Sequence, residues 1–255
     1  MSTNVRREPS SRHRDNSSLD AIRLPVAGLV PMTTLDYPGH LACVVFLQGC
    51  PLRCGYCHNP QMLSSRQGTL QEWAEIRGFL ESRKGLLDAV VFSGGEPTMH
   101  ADLAAAMREA KTLGFKVGLH TAGVYPKRLE TLLPWLDWVG LDVKGHANNF
   151  ERVAGRPGLW KNHAQSLALL LDSGIALECR TTIHWRDFDL ETVKRLALNL
   201  IECGVEHYAL QIARQDQCLN PKYQQPVMNR PTRQALERLI VRLEPQFSSL
   251  VLRDA

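Results

Sequence analysis

From residue 41 onward, short apolar and β-branched runs alternate with stretches whose apolar residues recur every three or four positions. That alternation is the pattern of strand–helix units building a parallel sheet. The strand runs cover residues 41–47, 89–93, 116–121, 138–144, 176–183 and 207–212. Thr69 and Glu72 have capping-box spacing ahead of a stripe of Leu70, Trp73, Ile76 and Leu80. A second stripe, Leu103, Met107, Ala110 and Leu113, stops at Gly114, and a third helix begins near Pro126 and ends before Pro134. Residues 162–173 carry Leu167, Leu170 and Leu171 ahead of Gly174, and Asp189 can cap a helix with Val193, Leu196 and Leu200. Residues 232–243 close the sixth unit. Six units predict an α/β fold of the partial (β/α)6 TIM-like barrel kind, because a closed eightfold barrel normally needs about 200 to 250 residues without the tail. In such folds function gathers at the carboxyl ends of the strands.

Residues 1–22 mix Arg, Ser, Asn and Asp with almost nothing apolar, which predicts a disordered N-terminal tail ahead of one domain over 23–255. An Arg- and Ser-rich transit segment is the sharper reading of that stretch, and Glu8, Asp15 and Asp20 weigh against it. The net charge of +4 is spread along the chain, so nucleic-acid binding gains no support. No apolar run reaches membrane-spanning length, and no membrane association and a cytoplasmic location are expected.

Seven cysteines is an odd number, and three of them fall in residues 48–60, QGCPLRCGYCHNP. Such clustering favours metal ligation over a disulfide framework. Cys50, Cys54 and Cys57 form a C-x3-C-x2-C spacing in a loop that Gly49, Pro51 and Gly55 allow to wrap a small cluster. A structural zinc site wants four ligands, and His58 is too close to Cys57 to share one metal with it. Cys43, Cys179, Cys203 and Cys218 are scattered, and core packing is the expected fate of most; Cys218 follows the last strand run and can approach the barrel mouth. Three thiolates around a four-iron cluster leave one iron open to a chelating ligand.

The strand ends supply the other candidates. Gly94, Gly95 and Glu96 follow the second strand run, where two glycines let backbone approach a ligand closely. Asp142 and Lys144 share a face at the end of the fourth run, and Arg180 lies on the fifth. Taken singly, these are a turn, a solvated charge pair and an exposed arginine.

Together they resemble a known family. The cysteine spacing with Tyr56 is similar to the cluster loop of the radical S-adenosylmethionine superfamily, and Gly94 to Glu96 resembles its GGE motif. Asp142 and Lys144 resemble the D-x-K segment of glycyl-radical-enzyme activases, and Arg180 matches an arginine there. The resemblance implies that Cys50, Cys54 and Cys57 hold one [4Fe-4S] cluster. It implies that S-adenosyl-L-methionine chelates the open iron, with Tyr56, Cys57, His58, Gly94, Gly95, Glu96, Asp142, Lys144 and Arg180 around it. Hydrogen abstraction would fall to a cofactor-derived radical, so no acid–base pair is expected.

Residues 33–39, TTLDYPG, with His58-Asn59-Pro60 after the cluster loop, resemble the activating proteins of anaerobic ribonucleoside-triphosphate reductases over about residues 28–219. This implies a glycyl radical enzyme, an anaerobic ribonucleotide reductase, as protein substrate, and a flavodoxin- or ferredoxin-type electron donor. The stretch from Cys57 to Ala89 is too short for a ferredoxin-like insertion, so a single cluster is expected. His120 and Ala122 depart from the Asp-Thr-Asn-Gly of the activases, which puts the target in question. The alternatives are a small-molecule radical enzyme such as 7-carboxy-7-deazaguanine synthase, which tends to have Asp-Thr where His58-Asn59 stands, and a non-catalytic zinc or electron-transfer module.

Overall fold

In the computed structural model of the chain, residues 22–65 and 70–254 are described. They form one eight-stranded sheet in sequential order: β1 (Val26–Thr33), β2 (Ala42–Leu47), β3 (Ala89–Gly94), β4 (Lys116–Thr121), β5 (Trp138–Asp142), β6 (Ala176–Ile183), β7 (His207–Ile212) and β8 (Ser249–Asp254). β1 runs antiparallel to β2, and every later neighbouring pair is parallel. The result is an α/β partial barrel whose first and last strands are edges.

The six expected strand runs are β2 to β7; β5 stops at Asp142, so Lys144 sits in the loop beyond it. β1 was not anticipated because Gly28 and Pro31 interrupt its apolar run, and an edge position tolerates proline's missing N–H donor. β8 is a short run following the last helix, and it adds to the far edge.

The parallel strands are joined by α1 (Trp73–Ser82), α2 (Leu103–Thr112), α3 (Pro126–Leu132), α4 (Asn148–Ala154), α5 (Trp160–Ser173), α6 (Leu190–Glu202) and α7 (Arg233–Leu243). Asp189 caps α6 by accepting from Thr192 N, and Thr232 caps α7 by accepting from Ala235 N. Gly174 ends α5 in the left-handed region. Of the expected capping box on α1, Thr69 lies outside the described residues, and Glu72 makes no side-chain cap bond. Residues 1–21 of the expected tail, with its transit reading, also lie outside them.

Strands buried on both faces separate two cores. Cys43, Val45, Val90 and Phe92 pack outward against the helices. Val44, Ala89, Val91 and Trp138 pack inward with Tyr37, which the β1–β2 turn inserts into the barrel. This inner layer closes the barrel floor and leaves the carboxyl ends of the strands open. Among the described residues, no helix is long and apolar enough to cross a membrane.

Candidate active site

The strand ends surround a cavity of about 350 Å³. The cysteine loop contributes Cys50, Cys54, Tyr56, Cys57 and His58 to its wall. Gly94 and Gly95 line it from β3, and Asp142, Lys144 and Arg180 from the opposite side. One group of loop ends therefore gathers every expected site residue except Glu96.

The cysteine loop is held from several directions. At its start, Gly49 N donates to Met62 O at 2.7 Å and the Gln48 amide donates to Gln61 O and Ser64 O at 2.7 and 2.6 Å. In the middle, Arg53 N donates to Ala154 O at the end of α4, at 2.8 Å. Its far side is crossed by the segment after β7: Leu219 N donates to Cys57 O at 2.9 Å and Asn220 N to Gly55 O at 3.0 Å. The His58 ring donates through Nδ1 to Gln217 O at 2.7 Å, and its Nε2 is buried without a protein partner. Cys218 is buried in the same strap, with its thiol 3.6 Å from Arg214 O, while Cys43 and Cys179 are core residues and Cys203 is exposed.

Gly94 and Gly95 are dictated by close approach. A Cβ on Gly94, whose φ is +114°, would meet Leu47 backbone at 2.4 Å, and one on Gly95 would meet Gly49 O at 2.0 Å. Glu96 follows them but stands behind the cavity wall. Its Oε1 accepts from Thr98 N, Thr98 Oγ1 and Thr121 Oγ1 at 3.1, 2.6 and 2.7 Å, and Oε2 accepts from Ala122 N at 2.8 Å. Burial raises its carboxyl pKa, and these four donors pull it back. Glu96, expected around the cofactor, is not part of the cavity lining; its oxygens tie the ends of β3 and β4 together.

Lys144 reaches back over the cysteine loop. Its Nζ lies 3.4 Å from Tyr56 Oη and 3.5 Å from Asp142 Oδ2, and it is only 8% exposed. Burial opposes its charge, but Cys54, Tyr56, Asp142 and Cys50 outweigh that and hold it well above the usual lysine range.

Arg180 sits lower, against the barrel floor. Its guanidinium lies 4.9 Å from the Trp138 ring, Nε donates to Glu178 Oε1 at 2.6 Å, and Nη1 is 3.0 Å from His120 Nε2. Nη2 is buried without a protein partner. Glu178 is in turn gripped by both terminal nitrogens of Arg253, from β8, at 2.8 Å each. Neither Glu178 nor Arg253 was anticipated, because nothing in their local sequence marks them and only the β6–β7–β8 pairing brings them together.

The donor set suits an iron–sulfur cluster. Among the described residues, no three His, Cys, Asp or Glu side chains close on a point tightly enough to hold one metal ion. The three thiols instead share a cavity, which fits a multi-iron body better than a single zinc. Opposite them, the unpartnered Arg180 Nη2 offers a donor, which suits a carboxylate-bearing ligand.

The fold places this chain among α/β partial barrels that work at the carboxyl ends of their strands. Within that class the match is specific: the sequence profile described as the Radical SAM superfamily covers residues 44–198. The chain belongs to that superfamily, whose members imply a [4Fe-4S] cluster and S-adenosylmethionine. A Methanocaldococcus jannaschii protein provisionally named a glycyl-radical enzyme activating enzyme is 32% identical over 195 residues, 73% of this chain and 78% of that protein. A pyruvate formate-lyase-activating enzyme from Clostridium pasteurianum is 36% identical over 118 residues, 44% of this chain and 49% of its own length. A PqqA peptide cyclase from Methylorubrum populi is 34% identical over 139 residues, 53% of this chain, which spans only 36% of that longer protein. Among solved structures, Streptococcus suis SuiB bound to S-adenosylmethionine superposes with a TM-score of 0.60 at 15% identity, over 82% of this chain and 48% of SuiB, a likeness of fold.

Proposed function

We propose that the protein is a glycyl-radical-enzyme activase that installs a radical on a glycine of an anaerobic ribonucleoside-triphosphate reductase. The observation carrying this reading is that the three cysteines, the twin glycines and the Asp142–Lys144–Arg180 set, far apart in sequence, line one cavity. The activase relatives support the class of target. The resemblance of residues 33–39 and of His58-Asn59-Pro60 supports the reductase in particular.

Cys50, Cys54 and Cys57 would hold one [4Fe-4S] cluster, which, reduced by a flavodoxin- or ferredoxin-type donor in the cytoplasm, supplies the electron that cleaves S-adenosylmethionine to methionine and a 5′-deoxyadenosyl radical. The chain's own residues bind and orient. Lys144 and Asp142 present opposite charges beside the cysteines, His58 an unpartnered ring nitrogen, and Arg180 a donor to a carboxylate. Gly94 and Gly95 let backbone form the wall where any side chain would intrude. Glycine is a suitable target because, without Cβ, its α-carbon radical can flatten into both neighbouring amides.

The test is to incubate the reduced protein anaerobically with S-adenosylmethionine and a candidate reductase and record the paramagnetic resonance spectrum. A glycyl radical on the reductase is expected. Cofactor cleavage with no radical on any reductase, accompanied by turnover of a pterin, would overturn the proposal.

A further inference from the structure

His120 is one of the two residues, with Ala122, at which the chain departs from the activase pattern, and its surroundings set it a conflict. Its Nε2 lies 3.0 Å from the backbone oxygen of Asp36 and 3.0 Å from Arg180 Nη1, while Nδ1 lies 3.2 Å from Ser93 Oγ. The oxygen can only accept and the guanidinium can only donate. Burial, with the Arg180 charge behind it, holds the ring neutral, its pKa lowered to about 3. A neutral ring carries one N–H, so Nε2 serves one of these neighbours and leaves the other unmet. The ring is packed edge-on to Trp138 at 5.5 Å between centroids. Arg180 meanwhile has Nε fixed by Glu178 and Nη2 buried without a partner beside the cavity.

We propose that His120 is a stand-in acceptor for Arg180, a positioning residue that holds the one of the two Nη1 N–H groups that a carboxylate bridging Nη1 and Nη2 would take. Without ligand, Nδ1–H donates to Ser93 Oγ and the bare Nε2 accepts from Nη1. When a carboxylate binds the guanidinium, one proton leaves Nδ1 for cavity water and one is taken up at Nε2, which then donates to Asp36 O. The net charge of the ring is unchanged. Arg180 thus keeps one orientation in both states, and a ligand with a single acceptor gains less than one able to displace the imidazole and reach Nη2 as well.

This inference rests on the proposed cofactor reading, and the experiment separates the two. Protein carrying 15N-labelled histidine and an oxidised reconstituted cluster is compared without ligand, with S-adenosylmethionine and with its decarboxylated analogue, His120 being assigned by difference against His120→Asn. The N–H resonance of His120 is expected on Nδ1 without ligand, on Nε2 with S-adenosylmethionine, and still on Nδ1 with the analogue. In Arg180→Gln without ligand, the Nε2–H form should prevail. Saturation by S-adenosylmethionine with His120 unmoved, or an Nδ1 proton retained in Arg180→Gln, would overturn the inference. Failure of S-adenosylmethionine to bind at all would overturn the proposed function, and the ligand-free Arg180→Gln comparison still decides the role of His120.

Discussion

The ring of Tyr223 fills the space that a side chain at Gly55 would need: a Cβ there would stand 2.4 Å from the ring. Tyr223 is itself fixed, its hydroxyl donating to Asp187 Oδ1 at 2.9 Å and its carbonyl taking the His184 ring at 3.0 Å. The second and third cysteines thus sit in a loop pressed between α4 and the strap after β7. Gly55→Ala should cost about 1–3 kcal/mol through overpacking and lower the iron retained per chain. Adding Tyr223→Ala should restore iron content in part, since it opens the space. Iron assay and urea denaturation of both variants check this, and normal loading in Gly55→Ala would show the contact to be slack.

Cys54→Ala should leave the barrel folded and remove the cluster. The side chain is small and the sheet does not depend on it, so a stability loss of about 1 kcal/mol is expected. Circular dichroism should keep its native form while iron–sulfur absorption and 5′-deoxyadenosine production vanish. Production of 5′-deoxyadenosine by this variant would show the ligand assignment to be wrong.

Much of this was legible in the chain because it is local. β4, β6 and β7 match their expected bounds, with β4 and β6 starting just after the helix stops Gly114 and Gly174. The cysteine triplet, the twin glycines and the Asp142–Lys144 pair are each written within a few residues. What was hidden is what the sheet brings together from a distance. Tyr223, Asn220 and Arg253 have no spacing signature, and their roles exist only because β7 and β8 lie alongside β6. α4 is a single short helix, too brief for its periodicity to stand out.

Glu178→Ala should be among the costlier single changes. Glu178 is a buried carboxylate shared by Arg180 and Arg253, and its removal leaves Arg180 as an uncompensated charge, a loss of about 3–5 kcal/mol. S-adenosylmethionine affinity should fall as well, because Nε loses the partner that aims the guanidinium. Urea denaturation and equilibrium dialysis measure the two effects. A stability loss below about 1 kcal/mol would mean that the charges are effectively solvated.

Acidification should begin to destabilise the fold before ordinary exposed carboxylates titrate. Burial lowers the His163 pKa to about 4 and that of His120 to about 3, against 6.5 for an ordinary histidine. Below about pH 6.5 the unfolded chain binds protons that the folded chain refuses, so stability falls as pH falls, by about 1.4 kcal/mol per pH unit for each ring. The loss continues until the folded pKa is reached. His163, which donates through Nδ1 to Ala122 O at 2.9 Å, can be replaced by Gln. That variant should shed about one proton's share of the slope between about pH 6 and pH 5, and an unchanged slope would mean that the ring protonates in place.

The four-donor knot on Glu96 bears on what a motif records. A short signature shared by many chains is usually taken as a map of ligand contacts, with each letter touching the substrate. Here the acidic letter of the signature fastens one strand end to the next, and the two glycines beside it take up the resulting shape. Such a signature is closer to the outline of a mould than to a set of fingers. Exchanging its acid to alter cofactor preference would deform the mould.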